Sequence, residues 1–346
     1  MHFFIVFLKQ FTKLIQKEKI HKVLFIMIGV IVLGSLALVF FEEQVNFQDA
    51  LWWSFVTVTT VGYGDISPIT MGGRIVAITV MLFGIGILGV FTATIAGMFI
   101  EDRMRENKGM KPTDATGHFI LCGWNFRGFN IVEELRADTK CGQKPIVLIA
   151  DIPEKPLEEA QLHFIRGEIT TDILSKANLA LAGTVIVLAD DTLDAYAADA
   201  KTILTTMTIK HACPEVYTCV ELLDPKNIEH CRMARADEII VTGELSTNLL
   251  VQAALDHGIS LLITELISNR YGNELFKITI PGAWVGRPFF EMMCHMKKEH
   301  DILCLGIEDE SGRNLISNPS NDYQLKENDR LIVISEDRPR IDAFHL

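Results

Sequence analysis

Two long stretches without a charged residue stand out in the N-terminal part of the chain. The first covers 19 residues, 23–41, and the second covers 26 residues, 75–100. As α-helices they would be about 28 and about 39 Å long, whereas the hydrocarbon core of a bilayer is about 30 Å thick. The pattern predicts two transmembrane helices at these positions. The alternative is a pair of buried helices in a soluble core.

A shorter apolar segment, 47–60, lies between the two stretches and is too short to cross a bilayer. It is long enough for a half-helix that enters the membrane and returns to the same side. Non-helical backbone at membrane depth is tolerated only where it is buried in protein or lines a wet cavity. We therefore predict a pore helix at 47–60 and a cavity-lining loop at 60–64.

Basic residues flank the predicted spans on one side only. Lys and Arg are absent from 23 to 73, and they cluster before and after the two spans: Lys9, Lys13, Lys17, Lys19, Lys22, Arg103, Arg105, Lys108 and Lys111. Because Lys and Arg stay on the cytoplasmic side, a multi-pass plasma-membrane protein with both termini inside is predicted. The outer segment 42–73 carries acids that would attract cations: Glu42, Glu43, Asp49 and Asp65.

Residues 1–22 combine apolar side chains at helical spacing with lysines. This pattern predicts an amphipathic helix that lies in the inner membrane interface. The alternative is a frayed terminus. A secretory signal is not expected, since no basic segment precedes the first short apolar run.

The loop between the spans reads Thr-Val-Gly-Tyr-Gly-Asp at residues 60–65. Glycine adopts dihedral angles that other residues avoid, so Gly62 and Gly64 allow successive carbonyl groups to turn the same way. Four such loops around an axis would replace the hydration shell of K⁺ with protein oxygens. One chain supplies a quarter of this cage, and a homotetramer is therefore predicted.

This run, preceded by Leu-Trp-Trp-Ser at 51–54, resembles the signature of the potassium channel family. The resemblance implies a selectivity filter for K⁺ whose first four residues bind the ion through their carbonyl oxygens: Thr60, Val61, Gly62, Tyr63 and Gly64. It also implies that Trp52 and Trp53 surround the Tyr63 ring and that Trp52 donates a hydrogen bond to Asp65.

The second predicted span contains three closely spaced glycines, Gly84, Gly86 and Gly89. Glycine inside a helix costs up to about 1 kcal/mol relative to alanine, so each should have a use. One use is close packing against a neighbouring helix. The other is a bending point at the inner mouth, and the family resemblance favours such a hinge at Gly84.

A polar linker, 101–115, leads into a region where short apolar runs alternate with helical patterns. Strands are predicted at six places: 118–122, 145–150, 163–166, 184–188, 215–219 and 238–241. Such alternation predicts an α/β domain with a parallel sheet and a ligand crevice at the strand ends. The fold class is thus an all-α membrane pore domain followed by a Rossmann-like α/β domain.

A degenerate dinucleotide-binding turn, G-x-N-x-x-G, follows the first predicted strand at 123–128. The N-terminus of the next helix would offer amides to a phosphate group. Asp151 ends the second strand, 23 residues beyond Gly128, and would accept hydrogen bonds from ribose hydroxyls. The alternative is the same fold with an empty crevice.

Residues 116–346 resemble the regulator of K⁺ conductance (RCK) domain, which senses nucleotides or ions. The resemblance implies a nucleotide-binding lobe at 116–245, crossover helices for dimerisation at 246–275, and a small α+β C-terminal lobe at 276–346. It also implies a site for NAD, NADH or a related nucleotide such as ADP. The predicted nucleotide-binding residues are Gly123, Trp124, Asn125, Phe126, Arg127, Gly128, Asp151, Ile152, Arg166, Gly167, Glu168 and Asp190.

One RCK subfamily is gated by Ca²⁺ through three carboxylates. Glu221 matches one of them and is a metal candidate, but the other two positions fall on Leu188 and Leu223. Ca²⁺ prefers six to eight oxygen ligands, so this loss weakens the site. Four other acids could form a different divalent site or could simply be solvated: Asp190, Asp191, Glu215 and Asp224.

Composition narrows the function further. The net charge of −12 argues against nucleic-acid binding, which usually needs a basic face. A non-enzymatic, ligand-gated potassium channel is predicted. The alternatives are an NAD-dependent membrane enzyme, for which His118, His163 and His211 would be the candidate bases, and a transporter's regulatory subunit. Soluble RCK copies started at Met104 or Met110 could complete an octameric ring.

Overall fold

A computed structural model of the protein describes residues 18–138, 141–310 and 314–339. The chain divides into two compact units, Met1–Glu106 and Asn107–Leu346. Residues 1–17 of the predicted amphipathic helix lie outside the described residues. Its remainder belongs to the first described helix.

The first unit contains three described helices, α1 (Glu18–Phe41), α2 (Phe47–Val58) and α3 (Met71–Asn107). Helices α1 and α3 are long and apolar enough to span a membrane. Only 22% and 17% of their apolar windows are buried. A core helix of a soluble protein would be mostly buried, so the low values favour the membrane interpretation.

The short helix α2 packs between the two long ones. Leu38 of α1, Trp53 of α2 and Val80 of α3 belong to one buried apolar cluster. The buried hydroxyls of Ser35 and Ser54 lie 3.0 Å apart and join α1 to α2 by a hydrogen bond. The side chain of Asn46 accepts from the Asp49 amide and fixes where α2 begins.

The second unit starts with a six-stranded parallel sheet. Its strands are β1 (Phe119–Cys122), β2 (Ile146–Ala150), β3 (Leu162–Arg166), β4 (Thr184–Val187), β5 (Tyr217–Leu222) and β6 (Glu238–Val241). Their order is β3-β2-β1-β4-β5-β6, the doubly wound arrangement. The connecting helices are α4 (Phe126–Ala137), α5 (Thr171–Lys176), α6 (Ala195–Ala212) and α7 (Ile228–Met233). The predicted Rossmann-like fold is confirmed.

Two helices, α8 (Thr242–Leu255) and α9 (Ile259–Ile267), follow the parallel sheet. They carry exposed apolar side chains, among them Leu250 at 72% and Leu261 at 77% exposure. The chain then forms an antiparallel sheet in the order β7-β10-β8-β9 with helix α10 (Phe289–His300) packed on it. Its strands are β7 (Glu274–Thr279), β8 (Leu303–Glu308), β9 (Leu315–Ser317) and β10 (Arg330–Ser335). This is the predicted small C-terminal lobe.

The predicted linker, 101–115, differs from the structure in two ways. Helix α3 continues to Asn107, because 101–106 retain a helix-compatible sequence without glycine or proline. The following segment is bound to the second unit: the Gly109 carbonyl accepts from the Arg166 amide (3.0 Å), and the Thr113 amide donates to the Lys176 carbonyl (2.9 Å). The segment 109–113 is therefore docked at the ends of β3 and α5.

Candidate functional site

The backbone of the pore loop takes up left-handed dihedral angles at alternate residues. The φ angles are 61° at Thr60, 55° at Gly62 and 76° at Gly64. Glycine adopts such angles without penalty, whereas threonine pays about 1–2 kcal/mol. The strain at Thr60 was not expected from the sequence. The amides of Val61 and Gly62 donate back to the Val56 carbonyl at the end of α2.

Trp52 holds the outer part of the loop. Its Nε1 atom donates to Asp65 Oδ2 at 2.9 Å, which confirms that predicted hydrogen bond. Its ring also stacks on Tyr63, with ring centres 5.9 Å apart and an interplanar angle of 5°. Tyr63 and Val61 remain 68% and 54% exposed in the chain.

Two other residues of this region lie in unexpected surroundings. Trp53 is 6% exposed and packs in the core of its own subunit, while only Trp52 shows a ring contact with Tyr63 among the described residues. Glu42 is buried and accepts hydrogen bonds from the amides of Ile69 and Thr70. It therefore joins the end of α1 to the start of α3.

Gly84 makes a close contact with the end of the pore helix. A Cβ atom placed on Gly84 would lie 3.1 Å from the Val58 Cα atom. Added Cβ atoms on Gly86 and Gly89 would meet nothing within 4 Å in the chain. Helix α3 runs unbroken through all three glycines. The contact supports the packing alternative for Gly84 in this conformation, and the hinge stays a prediction.

A cavity of about 290 Å³ lies in the second unit at the carboxyl ends of the central strands. Gly123 follows β1, Asp151 follows β2 and Asp190 follows β4. The sheet order reverses between β1 and β4, and this switch point is where ligands bind in open α/β sheets. Seven of the predicted nucleotide-binding residues line the cavity: Gly123, Trp124, Asp151, Ile152, Gly167, Glu168 and Asp190.

The N-terminus of α4 is capped by the chain itself. Asn125 Oδ1 accepts from the amides of Arg127 (2.9 Å) and Gly128 (3.2 Å), and Nδ2 donates to the Ala189 carbonyl. This cap starts the helix at Phe126, inside the predicted turn 123–128. Gly128 packs on the Trp124 ring, and a Cβ there would lie 2.7 Å from it. Phe126 is 73% exposed.

Two of the predicted site residues bind each other instead of lining the cavity. Arg127 forms an ion pair with Glu221 (2.8 Å) and with Asp191 (2.8 Å). Glu221, the predicted metal ligand, has a side chain only 7% exposed and also accepts from the Ala189 amide. Arg127 thus compensates the charge of a buried carboxylate. Arg166 similarly pairs with Asp151, at 3.3 Å, on the surface.

Lys201 on α6 is a cavity residue that the sequence analysis missed. Its Nζ atom lies 3.0 Å from Asp190 and 3.3 Å from Glu168. Burial opposes the charge of Lys201, but the hydrogen bond to Asp190 and the charge of Glu168 outweigh it and raise its pKa. The hydrogen bond from Thr192, with that from Lys201, lowers the pKa of Asp190. The sequence offered one indication of this role, because three polar residues of α6 line the cavity together: Lys201, Thr202 and Thr205.

The described part of the chain contains no group of three or more His, Cys, Asp or Glu side chains arranged to hold a metal ion. The candidate bases of the enzyme alternative lie away from the cavity lining. His118 is fully buried and its Nε2 donates to the Ala177 carbonyl, which is a structural role. Burial lowers its pKa.

Three family profiles match consecutive parts of the chain. A profile described as an ion channel matches residues 23–101, and one for the TrkA-N domain matches 119–242. A third, for Castor and Pollux, part of voltage-gated ion channel, matches 243–344. The first profile covers the described pore unit, and the second covers the parallel sheet.

Similar proteins over the whole length are potassium channels. The chain is 28% identical to the calcium-gated potassium channel TvoK of Thermoplasma volcanium, over 95% of each chain. It is 29% identical to the putative potassium channel protein YugO of Bacillus subtilis, over 90% of this chain and 96% of the relative. The human SLO3 gating ring shares the fold with a TM-score of 0.52 at 19% identity, over 63% of this chain and 44% of that one.

Proposed function

Because the chain belongs to the potassium channels that carry an RCK domain, we propose that it forms a homotetrameric, potassium-selective, ligand-gated channel of the plasma membrane. The observation that carries this proposal is the pore loop, where left-handed backbone at Thr60, Gly62 and Gly64 follows a half-helix enclosed by two apolar helices. Its RCK domain lies on the cytoplasmic side.

Selectivity comes from the main chain of the filter. Four copies of residues 60–63 around one axis present their carbonyl oxygens to a dehydrated K⁺ ion and replace its water shell. The Trp52 hydrogen bond to Asp65 and its stack on Tyr63 fix the outer end of each loop. The exposed faces of Val61 and Tyr63 pack against the neighbouring subunits.

Gating comes from the crevice. An adenine nucleotide binds there with its ribose hydroxyls on Asp151, and this shifts the pore between closed and open states to the extent that the nucleotide prefers one state. Arg166, at the end of β3, contacts both the docked segment 109–113 and the crevice. Its amide donates to the Gly109 carbonyl, and its side chain pairs with Asp151. A change at Asp151 therefore reaches the chain that leads to α3. Helix α3 is unbroken at Gly84 in this structure, and in this proposal it bends at that residue when the channel gates.

The experiment is a flux assay on purified full-length protein in K⁺-loaded vesicles. We expect a Ba²⁺-blockable flux that prefers K⁺ over Na⁺ and that changes when adenine nucleotides are added. Thermal unfolding with NAD⁺, NADH, ADP, ATP and AMP, with and without Asp151→Ala, identifies the binding site. Absence of K⁺ flux under every condition would contradict the channel, and loss of nucleotide effects alone would contradict only the gating.

Ca²⁺ gating is a second candidate. A relative that matches 95% of the chain is a calcium-gated channel. Two pairs of carboxylates are bridged by basic side chains: Asp190 and Glu168, which line the crevice, by Lys201, and Asp191 and Glu221, which do not, by Arg127. For Ca²⁺ to bind Glu221, Arg127 must leave it. Ca²⁺ activation that Glu221→Gln removes would support this candidate, and activation that survives the change would place the ion elsewhere.

The ring of RCK domains has four copies from the four chains. Soluble copies started at Met104 or Met110 would bring it to eight. The exposed apolar side chains of α8 and α9 are the surfaces that pair two RCK domains. A second band near the size of 110–346 on a denaturing gel of untagged protein would support the octamer.

A further inference from the structure

The charges of the crevice do not favour a ligand with several phosphate groups. Among the described residues that line it, three are acidic, Asp151, Glu168 and Asp190, and one is basic, Lys201. A single phosphate group carries a charge of about −1.5 to −2 at neutral pH. Each further phosphate group adds repulsion that one ammonium group cannot offset.

The usual place for a pyrophosphate is also taken. In dinucleotide-binding folds the amides at the helix N-terminus point at the pyrophosphate, and a glycine lets the ligand approach them. Here Asn125 stands in the middle of the turn, and its Oδ1 atom already accepts from the amides of Arg127 and Gly128. Its Nδ2 atom is bound to the Ala189 carbonyl across the sheet switch point, which holds the side chain in this orientation.

Arg127 offers no replacement for those amides. Its guanidinium group is bound to Asp191 and to the buried carboxylate of Glu221. Releasing it would leave Glu221 buried without a counter-charge, which is costly. The cavity volume of about 290 Å³ lies at the lower end of the range of about 300–1,000 Å³ for small-molecule sites. The space and the charges both suit a small, singly phosphorylated ligand.

Resting on the proposed nucleotide gating, we propose that the crevice selects a nucleoside monophosphate over diphosphates and dinucleotides, with Lys201 binding the phosphate group and Asn125 excluding a second one. The ribose hydroxyls bind Asp151 at the end of β2. The phosphate group lies beside Lys201 of α6, whose ammonium group exchanges Glu168, its more distant partner at 3.3 Å, for a phosphate oxygen. Thr202 and Thr205 of α6 also line the cavity.

Calorimetric titration of the full-length tetramer with adenosine, AMP, ADP and NAD⁺ tests the proposal. For the wild type we expect AMP to bind at least about tenfold more tightly than the other three ligands, the factor that one charge-assisted hydrogen bond supplies. Lys201→Gln should lower AMP affinity about tenfold, to that of adenosine, and leave adenosine binding within about twofold. Lys297→Gln, which replaces an exposed lysine of α10 paired with Asp301, is the matched control and should change nothing.

Asn125→Gly provides a second, independent variant. Glycine is tolerated at a helix N-cap at a cost of a few tenths of a kcal/mol, so the fold should persist while the two amides become available. We expect ADP and NAD⁺ to gain affinity and the AMP preference over ADP to fall below about threefold.

The outcomes separate the two proposals. If no adenine compound binds, nucleotide gating fails and this inference fails with it. If ADP or NAD⁺ binds the wild type as tightly as AMP, or if Lys201→Gln leaves AMP affinity unchanged, the monophosphate proposal is overturned while nucleotide gating stands.

Discussion

The pore loop and the crevice are built in opposite ways. The pore loop is a run of six adjacent residues, 60–65, that presents its own backbone, strained at Thr60. The crevice is assembled from side chains that lie between residues 122 and 205 and meet only because parallel strands end at one edge. A backbone site depends on dihedral angles, whereas a side-chain site depends on which ion pairs form.

The largest effect should come from removing a glycine of the pore loop. Gly62→Ala forces a Cβ atom onto a residue with φ of 55°, at about 1–2 kcal/mol in each of four chains. Nothing lies within 4 Å of that Cβ, so the fold should persist while the loop rearranges. We expect K⁺-selective vesicle flux to be lost. Gly29→Ala in α1, equally open but helical, should retain it, and equal flux in both variants would contradict the backbone role.

A large effect on stability, without a change of selectivity, should come from the crevice. Arg127→Ala leaves the Glu221 carboxylate buried and uncompensated, at about 2 kcal/mol for a partly exposed arginine. Thermal unfolding of the second unit should shift down by about 5 °C. The double variant with Glu221→Gln should recover most of the loss. If Arg127→Ala and the double variant lower the unfolding temperature equally, Arg127 and Glu221 are not energetically coupled.

A moderate effect should follow from loosening the outer end of the pore loop. Trp52→Phe removes the hydrogen bond to Asp65 and keeps a ring that can stack on Tyr63. A lost hydrogen bond is worth about 1 kcal/mol, so K⁺ over Na⁺ selectivity should fall by up to about fivefold. Bi-ionic currents measure the ratio. Asp65→Asn retains an oxygen acceptor, so its K⁺ over Na⁺ selectivity should fall less than that of Trp52→Phe. The reverse order would show that this hydrogen bond does not support the loop.

The smallest effect should be a pH dependence confined to the second unit. Burial lowers the pKa of His118 in the folded domain, while the unfolded chain takes up this proton near pH 6.5. The unfolded state therefore binds more protons, and stability should decrease as the pH falls below about 6.5. Thermal unfolding at pH 7.5 and 5.5 measures the change. His118→Gln, which keeps a donor for the Ala177 carbonyl, should flatten the dependence, and an unchanged slope would assign it to other groups.

The difference between the regions also explains what could be predicted. Thr60–Gly64 are adjacent, so the filter motif could be recognised in the sequence, and its resemblance to the potassium channel signature implied the Trp52 hydrogen bond. The parallel sheet and its crevice followed from apolar runs that alternate with helices. The strained angle at Thr60 did not follow, because threonine has no preference for left-handed backbone.

In the second unit, contacts between residues that lie far apart in the sequence could not be predicted. The Arg127–Glu221 pair joins residues 94 positions apart, and no local pattern announces it. Lys201 reaches the crevice only because α6 packs against β4 and β5. In the sequence, Asn125 was only a departure from the glycine of the dinucleotide-binding motif. In the structure its side chain caps α4 and accepts hydrogen bonds from the amides that a pyrophosphate would need.

The central claim is that four pore loops form a filter that passes K⁺ and rejects Na⁺. Its most direct test is the reversal potential of single channels in a planar bilayer, with a tenfold K⁺ gradient balanced by Na⁺. We expect a reversal near the K⁺ equilibrium potential, about 59 mV in magnitude. A reversal at zero, with equal passage of both ions, would contradict it.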